Sequence, residues 1–290
     1  MLTSLEDRAK VRAAAAAYFT TLPDGDGRSM LGYTINLQDT WNDLLIKLPL
    51  NASSSVLDVG CGFGILALEI AMTAGSSVTG SDINPEFIEG AKSIQKMLIS
   101  QGNLADSSRV SFETDDIMTL SESDCSHDVI VVREVFSYVS KPDLAMDHLA
   151  RIVKPGGVVC VEDIDDRLYF TFPPASKDFD VLFQAVRELQ ASRGGDREVG
   201  RKLSVYLHNA GFEVTNVITM TEPMHVNADP AKGERQFIIN QLSTLKTSIV
   251  KAGLLSEPEF DGHIKAMQEQ APSPEFRMNG RIAVFATKAG

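Results

Sequence analysis

The sequence predicts an α/β protein built on one mostly parallel sheet of seven strands. From residue 55 onward, short runs rich in β-branched residues alternate with helical patterns, which is typical of βαβ units. The runs are largely apolar, as expected for parallel strands that helices cover on both faces. A glycine-rich turn directly follows the first run. With 290 residues, the chain is long enough to bury one large core around such a sheet.

The first fifty residues are predicted to form a helical arm. One helix includes the alanine run Ala13–Ala17, and a second apolar pattern covers Leu37–Leu48 and ends before Pro49. A turn rich in glycine and aspartate at 24–28 separates them. We therefore expect an arm at 1–50 that covers the functional site and excludes water from it.

The rest of the chain, residues 51–290, is predicted to be the main domain. Pro85 and Pro142 each stand at the first position of a helix, and Lys154–Gly157 forms a turn before the fifth strand. The predicted strands are Val56–Val59, Val78–Ser81, Val110–Glu113, Val129–Val132, Val158–Val161, Phe212–Met220 and Arg281–Thr287. A helical insertion at about 223–278, between the last two strands, is predicted to act as a second lid.

Charge and cysteine content exclude several classes of protein. The 39 acidic residues outnumber the 27 basic ones and give a net charge of −12, which disfavours a nucleic acid as partner. The three cysteines are far apart without zinc-ligand spacing, so we expect no disulfide framework and no metal site. Apolar runs fall short of the roughly 18 residues of a membrane span. We expect a protein of a reducing compartment, the cytoplasm, with a homodimer as one candidate assembly.

A glycine-rich turn with the sequence VLDVGCGFG, residues 56–64, lies between a predicted strand and a predicted helix. Its GxGxG spacing places Ile65 where a dinucleotide-binding fold has its third glycine, which disfavours NAD. Asp82 ends the second strand, where a carboxylate can accept both hydroxyls of a ribose. Asp115 and Asp116 follow the third strand at the same edge. Each acid alone is typical of a cap or a solvated loop, but together with the glycines they predict a bound nucleoside.

Taken in order, the motifs VLDVGCGFG, VTGSDINPEF, FETDDI, HDVIVVREVFSYVSKPD and IVKPGG resemble a known family. They are similar to those of class I S-adenosylmethionine-dependent methyltransferases, in the small-molecule, UbiE-like subgroup. The resemblance covers about residues 30–215. It implies a Rossmann-like sheet with a reversed last strand, S-adenosylmethionine as cofactor, and methyl transfer to an O, N, C or S atom of a small molecule.

The resemblance also implies which residues contact the cofactor. The positions that match the family's motifs at its amino-acid end are Asp58, Gly60, Cys61, Gly62, Gly64 and Arg133. Asp58 would lie near the amino group and the glycines beneath the methionine part. Gln38 or Arg28 from the arm would close over the carboxylate.

At the nucleoside end, the resemblance assigns four further positions. Asp82 would hold the ribose hydroxyls, and Ile83 would pack on the adenine. Asp116 would accept a hydrogen bond from the adenine amino group, with the Ile117 backbone N–H facing the ring.

Catalysis by such a protein requires no catalytic triad, because the cofactor already carries an activated methyl group. The candidates for a proton acceptor or acceptor-binding group are Glu134, Tyr138, Asp163 and His225. The cluster of Asp163, Asp165 and Asp166 after the fifth strand either orients a cationic acceptor or forms a solvated loop. His225 has a purely structural alternative, and the aromatic residues Phe170, Phe172 and Phe179 belong either to an acceptor pocket or to the core.

Two other classes of function remain open from the sequence. The same fold and cofactor could serve an enzyme that does not transfer the methyl group, such as a cyclase. Alternatively, the chain could be a non-catalytic binding protein on the same scaffold. Formation of S-adenosylhomocysteine distinguishes the first alternative from a methyltransferase, and loss of cofactor binding would identify the second.

Overall fold

The computed structural model describes residues 5–37, 40–104, 107–226, 234–271 and 273–289. Within these ranges, eight strands form one sheet with the order β3-β2-β1-β4-β5-β8-β6, and β7 pairs with the outer side of β8. The strands are β1 Ser55–Val59, β2 Ser77–Asp82, β3 Val110–Thr114, β4 His127–Arg133, β5 Val153–Ile164, β6 Phe170–Phe172, β7 Phe212–Val226 and β8 Glu275–Lys288.

The first five strands are parallel, and β8 runs antiparallel to both β5 and β7. The reversal arises because β7 leads into the insertion at the carboxyl edge of the sheet and β8 returns from that edge. The predicted α/β fold with a reversed last strand is therefore confirmed. The seven predicted strands are all present, and β6 is a short additional strand that the aromatic pattern of Phe170–Phe172 did not reveal.

Two strand boundaries differ from the prediction. Residues Lys154–Gly157 were predicted to form a turn, but they lie within β5 as an irregularity, with Gly156 at φ 75°. The ribbon of β7 and β8 also extends beyond the predicted strands. The first and last residues of the predicted insertion at 223–278 are therefore part of these two strands. Between the two strands lie α9 Glu234–Thr244, α10 Lys246–Lys251 and α11 Glu257–Glu269.

Helices cover both faces of the sheet. Those that follow the strands are α4 Ile65–Ala74, α5 Pro85–Ser100, α6 Pro142–Ile152, α7 Lys177–Ser192 and α8 Leu203–Asn209. Continuous burial of β1 and β4 fits their apolar sequences, since helices exclude water from both sides. The side chain of Asn84 accepts from the Glu86 N–H and caps α5, with Pro85 at its first position, as the sequence indicated. None of the described helices has both the length and the hydropathy needed to cross a bilayer.

Three helices precede the sheet: α1 Leu5–Phe19, α2 Asp26–Leu37 and α3 Asn42–Lys47. Helix α2 is a correction to the sequence analysis, which placed only a turn at 24–28 and began the next helical pattern at Leu37. Glycine and serine in its first turn, which are weak helix formers, hide this helix from pattern analysis. The division of the chain into an arm at 1–50 and a main domain at 51–290 stays a prediction.

The arm packs tightly on the sheet domain. Its apolar side chains belong to the same core cluster as those of α4 and α5. In addition, the buried carboxylate of Glu69 in α4 forms an ion pair with Arg8 at 3.1 Å and accepts a hydrogen bond from the indole N–H of Trp41 at 2.7 Å. These contacts fix α1 and the segment before α3 beside the carboxyl edge of the sheet.

Candidate active site

The glycine-rich turn between β1 and α4 borders a cleft, and its three glycines differ in the space around them. Gly60, Gly62 and Gly64 all have positive φ, at 72°, 54° and 71°. A Cβ atom at Gly60 would lie 2.2 Å from Val135, and one at Gly64 would lie 2.4 Å from Phe112. At Gly62 the nearest atom would be a Met30 methyl at 4.0 Å. Gly60 and Gly64 therefore serve internal packing as well as turn geometry, whereas the backbone of Gly62 faces free space.

The carboxylate of Asp82 ties the end of β2 to this turn. One oxygen accepts from the Gly62 backbone N–H at 2.8 Å, and the other accepts from the Asn84 N–H at 2.9 Å. Partial burial raises the pKa of Asp82, while these two backbone donors lower it. The next side chain, Ile83, is 66% exposed at the same edge. An exposed apolar side chain beside a fixed carboxylate suits a ligand with a flat ring and a polyhydroxylated sugar.

The turn after β3 lies against the end of β2, because the Asp115 N–H donates to the Asp82 carbonyl oxygen at 3.1 Å. The Asp115 carboxylate accepts from the N–H groups of Asp116 and Ser121, so it holds the turn together. Asp116 accepts from the Met118 N–H through one oxygen. The side chain of Ile117 is buried in the core. The structure thus brings the acids of β2 and β3 to one edge, as the topology predicted.

Two buried polar atoms at the bottom of the cleft lack hydrogen-bond partners among the described residues. One is Oδ2 of Asp58, whose side chain is only 2% exposed, and the other is Nη2 of Arg133. Burial raises the pKa of Asp58 to about 7, although the nearby Arg133 guanidinium opposes the shift. The Arg133 guanidinium also donates to Glu162 and lies 4.5 Å above the centre of the Trp41 ring. The cleft floor therefore offers one acceptor and one donor to a ligand.

The cleft itself has a volume of about 490 Å³ and lies between the sheet edge and the arm. The arm contributes Met30, Tyr33, Thr34, Leu37 and Trp41. The sheet domain contributes Asp58, Gly60, Cys61, Gly62, Leu66, Arg133 and Glu134. Both the arm and the sheet domain therefore line the cleft.

A family model described as a methyltransferase domain matches residues 33–217, which is more than half of the chain. The chain belongs to the class I S-adenosylmethionine-dependent methyltransferase family. The resemblance that the sequence motifs indicated is thereby confirmed.

Individual methyltransferases match the chain over part of their length. The O-methyltransferase resE from Aspergillus sclerotiorum is 27% identical over 168 residues, which is 58% of each chain. The methyltransferase GfsG from Streptomyces halstedii is 36% identical over 118 residues, which is 41% of this chain and 40% of the relative. The chain thus spans about half the length of these relatives. The solved structure of YcgJ from Bacillus subtilis is 17% identical, with a TM-score of 0.57, and covers 87% of this chain and 99% of that chain, which supports the shared fold.

The unpartnered atoms fit the cofactor of this methyltransferase family. S-adenosylmethionine carries both an ammonium and a carboxylate group at its amino-acid end. Buried polar atoms without partners are rare in folded proteins, and each is a cost that a ligand can remove. Asp58 Oδ2 suits the ammonium group, and Arg133 Nη2 suits the carboxylate. The bare backbone at Gly62 leaves room for the chain that joins them.

Three further assigned positions are in the arm and the glycine turn. Gln38 lies outside the described residues. Arg28 donates to the Leu22 carbonyl oxygen and lies 4.4 Å from the ring centre of Phe19, so its side chain is held within the arm. Cys61 is part of the turn and lines the cleft, and burial raises the pKa of its thiol well above the ordinary value.

A buried charge network at the ends of β4, β5 and β8 is the main feature that sequence reasoning missed. Arg281 is only 3% exposed and forms ion pairs with Glu134 at 2.6 Å and with Glu222, while Glu162 lies 3.6 Å away. Pairing of β8 with both β5 and β7 brings Arg281 opposite Ile164 on one side and Met220 on the other. No local motif marks these residues, because they come together only through strand register.

Glu134 is held by this network. Its Oε1 atom lies 2.6 Å from Arg281 Nε and accepts from the Tyr33 hydroxyl at 3.4 Å. Its backbone has φ 54°, an uncommon value for a non-glycine residue, and its N–H donates to the Glu162 carbonyl oxygen. The strained backbone directs the carboxylate into the wall of the cleft.

The other three candidates for a catalytic role lie elsewhere. Both carboxylate oxygens of Asp163 accept backbone N–H groups, from Ser137 at 2.9 Å and from Ile164 at 2.8 Å. Burial raises the Asp163 pKa to about 7, and its contacts indicate a role in anchoring the turn that carries Tyr138. The Tyr138 side chain is 68% exposed. His225 is exposed near the end of β7, five residues beyond Met220 and so roughly 17 Å along the ribbon from Arg281.

The loop after β5 does not present open negative charge, so both interpretations of its acids were wrong. Asp165 is buried and accepts from Arg201 at 2.7 Å. Asp166 is also buried and pairs with Arg187 at 2.9 Å and with Arg197 at 2.8 Å. These arginines follow the loop by 20 or more residues along the chain, so the charge balance became visible only in the folded structure.

We expect Asp58→Asn to stabilise the protein at alkaline pH. The folded-state pKa of about 7 exceeds the ordinary value of 3.8, so the folded state holds the extra proton between these pH values. The free energy of unfolding therefore falls as pH rises through this window, by up to about 4 kcal/mol. The variant lacks this loss. Urea unfolding at pH 5 and pH 8 measures the difference between the two proteins.

Asp163→Asn is the comparison variant, since burial also raises the Asp163 pKa to about 7. Both oxygens of Asp163 accept backbone N–H groups, so an amide NH₂ there would face a donor and destabilise the fold. A parallel loss of stability with pH in Asp58→Asn and the wild type would contradict the assignment of the buried charge to Asp58.

Proposed function

We propose that the protein transfers a methyl group from S-adenosylmethionine to a small organic molecule. The observation that carries the proposal is the pair of unpartnered buried atoms, Asp58 Oδ2 and Arg133 Nη2, in a cleft bounded by the glycine turn. The pair matches the two charged groups of an amino acid. Family membership supplies the reaction class, and the chemistry of the cleft supports it for this chain.

The cofactor would extend from the cleft floor to the exposed edge of the sheet. Asp58 and Arg133 would bind its amino-acid end, over the backbone of Gly62. Asp82 would accept the ribose hydroxyls, since its two backbone donors hold it in place as an anion. Ile83 would contact the adenine.

On the adenine side we propose the remaining contacts from the sequence. Asp116 would accept from the adenine amino group, and the Ile117 N–H would face the ring. Gly60 and Gly64 would act through the turn, and Cys61 would form part of the cleft wall.

When bound, S-adenosylmethionine supplies a methyl group on a sulfonium, whose sulfur keeps the electron pair of the broken bond as the acceptor atom forms the new one. The protein's own part is to position the acceptor, exclude water and hold any released proton. Helix α2 and Trp41 line the cleft and would provide the exclusion. Glu134 is the candidate proton acceptor that lines the cleft. By contrast, Asp163 accepts two backbone N–H groups, and His225 is exposed near the end of β7.

A hydroxylated molecule is the acceptor that the names of the relatives favour. The relative resE is named an O-methyltransferase, and a Synechocystis relative is named a 2-methyl-6-phytyl-1,4-hydroquinone methyltransferase. We therefore propose an oxygen or carbon atom of a hydroxylated small molecule as the methyl acceptor. The acidic net charge favours such a molecule over a nucleic acid. A cytoplasmic location and a homodimer are further proposals, and light scattering of the purified protein tests the second.

Two measurements test the proposed function. Calorimetry should show binding of S-adenosylmethionine and S-adenosylhomocysteine but not of NAD. Incubation with methyl-labelled cofactor and a metabolite extract should then transfer label to an extractable product and release S-adenosylhomocysteine. Binding without labelled product in any extract would instead support the cyclase class, and no binding would support a scaffold protein.

We expect Glu134→Gln to lower turnover about a hundredfold or more while leaving cofactor affinity within about twofold, which is the size of a typical general-base contribution. The reason is that glutamine keeps the size of Glu134 but removes the carboxylate that lines the cleft. Initial rates and calorimetric affinities measure the two effects. Glu222→Gln, which removes another acid from the Arg281 network outside the cleft, is the control. Equal loss of turnover in both variants would assign the effect to the network rather than to Glu134.

A further inference from the structure

A second cavity lies beside the cofactor cleft. It has a volume of about 520 Å³, and we call it the β5–β8 chamber, since the ends of these strands form its floor. Among the described residues, Tyr33 is the lining residue that the chamber and the cleft share. Its hydroxyl donates to Glu134 at 3.4 Å and accepts from Arg281 Nη2 at 3.0 Å. A molecule in the chamber would therefore lie next to a ligand in the cleft, with Tyr33 bordering both.

The charged side chains that line the chamber are all paired within the protein. Asp165 is bound by Arg201, and Asp166 by Arg197 and Arg187. Arg281 is bound by Glu134 and Glu222. A charged molecule in this space would lose its hydration without gaining a partner of opposite charge, and that is costly.

The network around Arg281 adds a second argument. Three carboxylates, those of Glu134, Glu162 and Glu222, surround the two guanidinium groups of Arg133 and Arg281, which leaves one negative charge in excess. This charge would repel an anionic acceptor, which adds to the cost of burying one.

Aromatic rings form a large part of the chamber wall. Tyr169 and Phe183 both line it, with ring centres 5.3 Å apart. Phe179 packs behind both rings, at 5.7 Å from Tyr169 and 5.3 Å from Phe183. Tyr33 faces the chamber from the arm. The rings make this part of the wall rigid and largely apolar, and the guanidinium groups of Arg187 and Arg197 lie over the Phe183 ring at 4.6 and 5.6 Å.

We propose that the β5–β8 chamber binds the methyl acceptor and that the acceptor is an uncharged aromatic molecule. The proposal rests on the proposed function, because it takes the ligand of the neighbouring cleft to be S-adenosylmethionine. It replaces the interpretation of the β5 loop as a site for a cationic acceptor, since the acids of that loop are neutralised by arginines.

Calorimetry with three probes of one ring size tests the proposal. Naphthol, naphthoate and naphthylmethylamine are titrated into the protein saturated with S-adenosylhomocysteine. Naphthol should bind at least about tenfold more tightly than either charged probe, because a charged probe loses its hydration in the chamber without gaining a partner of opposite charge. Tighter binding of a charged probe, or binding of none, would overturn the proposal. Failure to bind S-adenosylhomocysteine would instead refute the proposed function.

Variants then test whether the naphthol lies in the chamber. Phe183→Leu keeps most of the side-chain volume but removes the ring face, and it should weaken naphthol binding about fivefold or more while the affinity for S-adenosylhomocysteine is unchanged. Phe170→Ala is the control, because Phe170 is 49% exposed and does not line the chamber. Thermal melting shows that each variant is folded. Phe183→Ala is a second test of the same wall. Unchanged naphthol affinity in both Phe183 variants would place the acceptor elsewhere.

Discussion

Asp82→Ala is expected to lower the affinity for S-adenosylhomocysteine at least about a hundredfold. The variant loses a charged acceptor for the ribose hydroxyls, and hydrogen bonds to charged groups contribute roughly 1.5–3 kcal/mol each. It also leaves the N–H groups of Gly62 and Asn84 without the oxygens that now accept from them at 2.8 and 2.9 Å. The glycine turn would then lose its fixed position relative to β2. Isothermal calorimetry measures the change.

Glu89→Ala is the matched control for this variant. It removes the same charge from helix α5, where Glu89 forms an exposed ion pair with Lys92. Its affinity for S-adenosylhomocysteine should equal that of the wild type. Wild-type affinity in Asp82→Ala would refute the assignment of this carboxylate to the ribose, and with it the orientation of the cofactor along the sheet edge.

Arg281→Leu is expected to destabilise the protein by roughly 3–5 kcal/mol, the usual cost of removing one partner from a buried ion pair. The carboxylates of Glu134, Glu162 and Glu222 would remain close together without the guanidinium that they surround. Urea unfolding at pH 7 measures the loss.

Lys246→Leu provides the comparison for an exposed network. Lys246 pairs with two acids, Glu257 and Asp261, both largely exposed. Its loss should cost less than about 1 kcal/mol, as is usual for surface pairs. Equal stability of Arg281→Leu and the wild type would show that the network around Arg281 does not hold the ends of β5, β7 and β8 together.

Much of the cofactor cleft could be predicted from the sequence because its residues are close to each other along the chain or are placed by topology. The turn from Gly60 to Gly64 requires positive φ, which its glycines supply. Asp58 and Asp82 stand at the ends of adjacent parallel strands, so pairing alone brings them to one edge. Helix α2 escaped detection because residues 26–37 mix weak helix formers with apolar ones, and it is stabilised by packing on the sheet domain.

The acceptor side shows the opposite situation. Whether Asp165 and Asp166 present charge to a ligand depends on Arg187, Arg197 and Arg201, which no spacing rule connects to them. The position of Arg281 beside Glu134 depends on the register of two antiparallel strand pairs. A shift of one residue in that register would turn the guanidinium to the other face of the sheet.

By itself, the sequence determined the parallel sheet, the turn chemistry at its first strand and the acids at its carboxyl edge. These features follow from the periodicity of apolar residues, the backbone preferences of glycine and the order of the strands. Each of these can be read from residues that are near each other in the chain or from the order of the elements. Only the tertiary structure decided which carboxylates are paired with arginines and that Tyr33 lines two neighbouring cavities. It also decided that Asp58 and Arg133 each keep an atom without a hydrogen-bond partner. Such outcomes depend on side chains from distant segments competing for the same partners, and that competition takes place only in the folded chain.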